Sequence, residues 1–104
     1  MFKRISPEGA HEHLDNQTAQ FVDIRNDIDF EQGHIPKSLH LGQHNLQEFI
    51  QTADIDKPVI VTCYHGISSQ SAAQILVEKG FEDVYSLDGG FEGWKQAYPD
   101  EIAQ

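Results

Sequence analysis

Apolar residues along this chain fall into two alternating patterns: short unbroken runs bounded by turn residues, and stripes spaced three or four apart. The first marks buried strands and the second amphipathic helices. Phe21-Val22-Asp23-Ile24, Leu39-His40-Leu41, Val59-Ile60-Val61-Thr62 and Val84-Tyr85-Ser86-Leu87 predict four strands, the third being the most β-branched. Helical stretches lie between them. Ser6-Pro7-Glu8 opens the first, with Ser6 as N-cap and Pro7 at the first helical position, and the pattern runs to Asp15. Asp27 is expected to cap a short helix through Phe30 to Gln32, which Gly33 ends. Leu46, Phe49 and Ile50 sit at helical spacing before Lys57-Pro58 stops the pattern. Ala72, Ala73, Leu76 and Val77 form a stripe closed by Gly80, and Phe91, Trp94 and Tyr98 line one face of a last helix before Pro99. Strands alternating with helices imply an α/β fold with a mainly parallel sheet covered on both faces.

The 104 residues carry no low-complexity tract, charge block or internal repeat, so a single domain over residues 1–104 is expected. With 38% hydrophobic and 10% aromatic residues the chain has material for a core, which excludes a disordered class. Seventeen acidic against seven basic residues give a net charge of −10, which repels nucleic acid and anionic membranes; neither is expected as a partner. One cysteine permits no intramolecular disulfide and suits a reducing compartment. The N-terminal residues show no apolar stretch of signal-peptide length, and no segment reaches membrane-spanning length. Cytoplasmic residence is the resulting expectation.

That cysteine, Cys63, stands where the third strand breaks into Tyr64-His65-Gly66-Ile67-Ser68-Ser69 and then a helix. Ligands of open parallel sheets bind beyond the carboxyl ends of the strands. A loop entering a helix N-terminus aims backbone N–H groups at one spot, with the positive end of the macrodipole behind them. Such surroundings favour a thiolate, the nucleophilic form. A lone cysteine also serves as a small buried hydrophobe, and position alone leaves both readings open. Gly66 allows close backbone approach or positive φ, and Ser68 and Ser69 are N-cap candidates. Phosphatases, arsenate reductases and sulfurtransferases all use this arrangement. Phosphatases normally place Arg six positions after the cysteine, where it donates to the transferring phosphoryl group. Here that residue is Ser69, and no Lys or Arg lies between Cys63 and Gln74.

Three segments together carry a family resemblance. Phe21-Val22-Asp23-Ile24-Arg25 with Phe30-Glu31-Gln32-Gly33-His34-Ile35-Pro36, the six-residue loop Cys63 to Ser68, and Tyr85-Ser86-Leu87-Asp88-Gly89-Gly90-Phe91-Glu92-Gly93-Trp94 resemble, in order, the signatures of the rhodaneses. The match is to the small single-domain thiosulfate sulfurtransferases of bacteria, whose loop is one residue shorter than in the related phosphatases. The resemblance implies a five-stranded parallel sheet flanked by helices and a double displacement with no cofactor. Cys63 would take the outer sulfur of thiosulfate, release sulfite, and pass its persulfide sulfur to cyanide or to a protein dithiol such as thioredoxin. The N–H groups of Tyr64, His65, Gly66, Ile67 and Ser68 would stabilise thiolate and persulfide, with the Ser68 and Ser69 hydroxyls in support. A non-catalytic binding module of the same fold is the competing reading; it has no need of the thiol.

The larger two-domain rhodaneses have basic loop residues that recognise the thiosulfate dianion, and this loop has none. His65, when protonated, is the nearest compensation, and a loop-packing role is its structural alternative. Asp23 and Arg25 suit either anion steering or a hydrogen-bonded pair anchoring the loop after the strand, the second being favoured. His34 is expected to bond backbone groups, and Asp88-Gly89-Gly90 to form a turn or a pocket wall. His40 with His44, or His11 with His13, offer pairs but no complete tetrahedral set, so no metal is expected.

Overall fold

The computed structural model describes residues 1–104. Ten elements follow one another: β1 (Lys3–Ile5), α1 (Pro7–Asn16), β2 (Gln20–Asp23), α2 (Asp27–Gln32), β3 (Leu39–His40), α3 (Leu46–Thr52), β4 (Val59–Thr62), α4 (Ser68–Glu78), β5 (Val84–Leu87) and α5 (Gly90–Ala97). All five strands are parallel, in the order β1-β5-β4-β2-β3. β4 lies at the centre because both of its faces are apolar. Val59 and Val61 join Val22, Phe49, Ala73, Leu76 and Phe81 in a core under α3 and α4. Ile60 points the other way, to Ala10, Phe21, Leu87, Phe91 and Trp94 under α1 and α5. Full burial of each such side chain contributes roughly 1.5–3 kcal/mol, so two helical layers clamp the strand from which the Cys63 loop springs.

The sheet has one strand that the apolar pattern does not mark. In β1 two of three residues are exposed cations; its backbone pairs with β5, and the residues flanking β5 take the cations, Lys3 meeting Asp83 and Arg4 meeting Asp88, each at 2.7 Å. Cations on this edge also discourage addition of another chain.

Helix ends follow local chemistry. The Ser6 hydroxyl accepts from the Gly9 N–H, a cap that contributes about 1 kcal/mol. For α2 the cap is Asn26 and not Asp27, which is the first helical residue; the Asn26 side chain reaches the Asp29 N–H at 2.8 Å. At the end of α4, Gly80 N–H donates to Val77 and Phe81 N–H to Leu76, with Gly80 at φ +109°. This paired closure needs a residue free of Cβ strain, and it seats Phe81 in the core beside Leu76.

Candidate active site

Cys63 follows directly on β4, in the loop that leads into α4, and the residue is 2% exposed. The Gly66 N–H donates to Sγ at 3.1 Å and the Ser69 N–H at 3.3 Å, while Oγ of Ser69 lies 3.2 Å away. Burial pushes the thiol up, but the hydroxyls of Ser69 and Ser68 and the N–H groups of Ser69 and Gly66 outweigh it, lowering the pKa from 9.0 to about 7. Of these donors, Ser69 and Gly66 make hydrogen bonds of defined geometry to the sulfur. Neither serine caps α4 as expected: Ile67 holds the N-cap position without a side-chain bond, and Ser69, fully buried, turns its hydroxyl inward to Cys63. The amides of Tyr64, His65, Ile67 and Ser68 have no acceptor within the chain.

Glycines let the loop backbone sit against α5. A Cβ on Gly90 would lie 2.6 Å from Cys63 O, Tyr64 C and His65 N, and one on Gly66 would lie 2.9 Å from Gly89 N and Leu87 O. All of these are backbone atoms, which cannot yield as a side chain can. Across this contact Phe91 N–H donates to Cys63 O at 2.8 Å and Glu92 N–H to Tyr64 O at 3.1 Å. The first N–H groups of α5 thus satisfy the loop's carbonyls and fix its path. Asp88-Gly89-Gly90 is therefore a wall of the site and not merely a turn.

A family model described as a rhodanese-like domain matches residues 6–97. The chain belongs to the rhodanese-like family. This rhodanese-like chain is 56% identical over 103 residues to the thiosulfate sulfurtransferase GlpE of Pseudomonas savastanoi pv. phaseolicola, with 99% of this chain and 96% of that protein covered. It is 57% identical over 101 residues to the thiosulfate sulfurtransferase GlpE of Stutzerimonas stutzeri, with 97% and 92% covered. Its fold is similar to that of a rhodanese-like domain protein from Staphylococcus aureus: TM-score 0.77 and 21% identity, covering 89% of this chain and 91% of that one.

Around the rhodanese-like loop, the charged groups are spoken for. Arg25 is buried and grips both carboxylate oxygens of the fully buried Asp23, donates to Gly33 O, and lies over the Phe91 ring at 4.1 Å. It is the loop anchor that the sequence favoured over anion steering. Tyr64 turns out of the loop, where its hydroxyl donates to Asp29 at 2.6 Å, and that carboxylate raises the Tyr64 pKa. Ile67 is 77% exposed on the rim. His65 is exposed and its ring bonds nothing in the chain, so the loop-packing alternative does not hold. His34 does bond backbone, through Nδ1 to Phe30 O at 2.7 Å.

His11 meets Asp15 and Glu101, at 3.5 and 3.3 Å, instead of His13, and stacks on Tyr98. These contacts tie the C-terminal residues to α1, away from the sulfur. One residue of the site lies outside the sequence reading. Ser86 of β5, 1% exposed, has its hydroxyl 2.7 Å from that of Ser69. Its signal was a lone hydroxyl on the face of β5 that Val84 shares, pointing under α4.

Proposed function

We propose that this chain is a thiosulfate sulfurtransferase that carries sulfur on Cys63, working as one catalytic domain over residues 1–104. The observation that carries the reading is the cup around Sγ: N–H donors from Gly66 and Ser69, the Ser69 hydroxyl 3.2 Å away, a thiol lowered to about 7, and no lysine or arginine in the loop. The identity to relatives named thiosulfate sulfurtransferase, over nearly the whole length of both chains, supports it. The Cys63 thiolate attacks the outer sulfur of thiosulfate; the new S–S bond forms as the old one breaks, and sulfite leaves with the electron pair. The terminal sulfur of the persulfide then sits against the loop, where the amides of Tyr64, His65, Ile67 and Ser68 are free to donate. Cyanide attacks that sulfur, thiocyanate departs, and the thiolate returns. A protein dithiol such as thioredoxin attacks the same atom, and Ile67 on the rim offers it an apolar contact.

His65, when protonated, supplies the one positive charge on the loop for the incoming dianion. A phosphatase reading has no support in this cup. The position where those enzymes place Arg is the fully buried Ser69, already bonded to sulfur and to Ser86. A single unpaired thiol suits the reducing cytoplasm, and no helix is long and apolar enough to cross a membrane. The test is thiocyanate formation from thiosulfate and cyanide. The natural chain turns over and Cys63→Ser, folded alike, does not; comparable rates in both would reject the reading.

A further inference from the structure

Three side chains form a closed line beneath the loop. Cys63 Sγ lies 3.2 Å from Ser69 Oγ, which lies 2.7 Å from Ser86 Oγ. Within the chain the Ser86 hydroxyl has no other hydrogen-bond partner, and the Ser69 hydroxyl has only these two. All three residues are buried. The line therefore has two links. With Cys63 as a thiol it holds three hydrogens for two links, and one of the three buried donors is left without an acceptor. With Cys63 as a thiolate it holds two. Ser86 then donates to Ser69, Ser69 donates to sulfur, and every hydrogen is placed. A buried donor without a partner is destabilising, so the count favours the ionised sulfur.

We propose that Ser86 is a positioning residue for Cys63, holding the Ser69 hydroxyl with its hydrogen toward the sulfur and so favouring the thiolate. This rests on the reading of Cys63 as the sulfur carrier. No charged group takes part in the line. The loop contributes exposed His65 and Tyr64, whose hydroxyl is taken by Asp29. From α5 comes Glu92, paired with Lys95; from the end of β2, Asp23 with Arg25; after β5, Asp88 with Arg4. The effect of Ser86 on the sulfur is thus one of hydrogen placement, acting through Ser69 alone.

The test is the pH profile of Cys63 alkylation by iodoacetamide in four variants. Ser86→Ala raises the midpoint by about one pH unit, about a tenfold slower reaction on the acid side. Ser69→Ala raises it at least as far, and adding Ser86→Ala to Ser69→Ala moves it no further. Ser86→Thr, which keeps the hydroxyl, retains the natural midpoint. An unmoved midpoint in Ser86→Ala overturns the proposal. So does an equal shift from Ser86→Ala with and without Ser69, or a Ser86→Thr midpoint raised as far as that of Ser86→Ala, which would assign the effect to packing. Iodoacetamide reads the thiolate with no sulfur donor present. Failure here is therefore distinct from failure of sulfur transfer, which the mass of the thiosulfate-treated chain reads separately.

Discussion

Gly90 and Cys63 share one contact that leaves no room for a side chain: a Cβ on Gly90 would sit 2.6 Å from the Cys63 carbonyl oxygen. Gly90 also has φ +59°, a conformation that side-chain-bearing residues rarely adopt. The tight approach lets the first N–H groups of α5 bond the carbonyls of Cys63 and Tyr64, so the helix that buries Trp94 also sets the path of the loop.

Gly90→Ala should therefore act on stability and on chemistry together. Backbone strain alone lowers stability by about 1–3 kcal/mol. The displaced loop slows sulfur transfer by about a hundredfold, the scale of an ångström-sized misplacement. Denaturant melting and steady-state rates check both. A variant with natural turnover would show that the contact does not hold the loop.

The lowered thiol has a sign that can be tested. Folding takes Cys63 from 9.0 to about 7, so the thiolate stabilises the fold. That contribution is full above 9, diminishes as pH falls through the window, and is gone below about 7. Relative to Cys63→Ser, the natural chain should gain stability between pH 7 and 9, and alkylation should titrate with a midpoint near 7. A midpoint near 9 would contradict the hydrogen-bonded cup.

Arg25→Ala leaves Asp23 buried and charged without its partner, a loss of about 3–5 kcal/mol. Urea unfolding should show the drop, and the folded fraction should keep its KM for thiosulfate. A raised KM with stability unchanged would return Arg25 to anion steering.

What the sequence discloses depends on how far local pattern agrees with the sheet. β4 and β5 fall where expected because a buried parallel strand is a continuous apolar run between turn residues. β1 carries no such run: its exposed Lys3 and Arg4 belong to an edge and take their register from β5. The caps mark the other boundary. Ser6 caps α1 as its local sequence says, whereas Ser69 stands at a helix start and gives its hydroxyl to Cys63. There the demand of the sulfur overrides helix propensity. Ser86 could not be assigned from the chain alone, because its only partner lies on a different element, seventeen residues earlier.

Sulfur carriage by Cys63 is read from the intact mass of the chain after brief treatment with thiosulfate and removal of the excess. The natural chain should be heavier by one sulfur atom, localised to Cys63 and discharged by cyanide, and Cys63→Ser should be unchanged. A natural chain of unaltered mass, or one sulfur added equally to Cys63→Ser, would rule out Cys63 as the carrier.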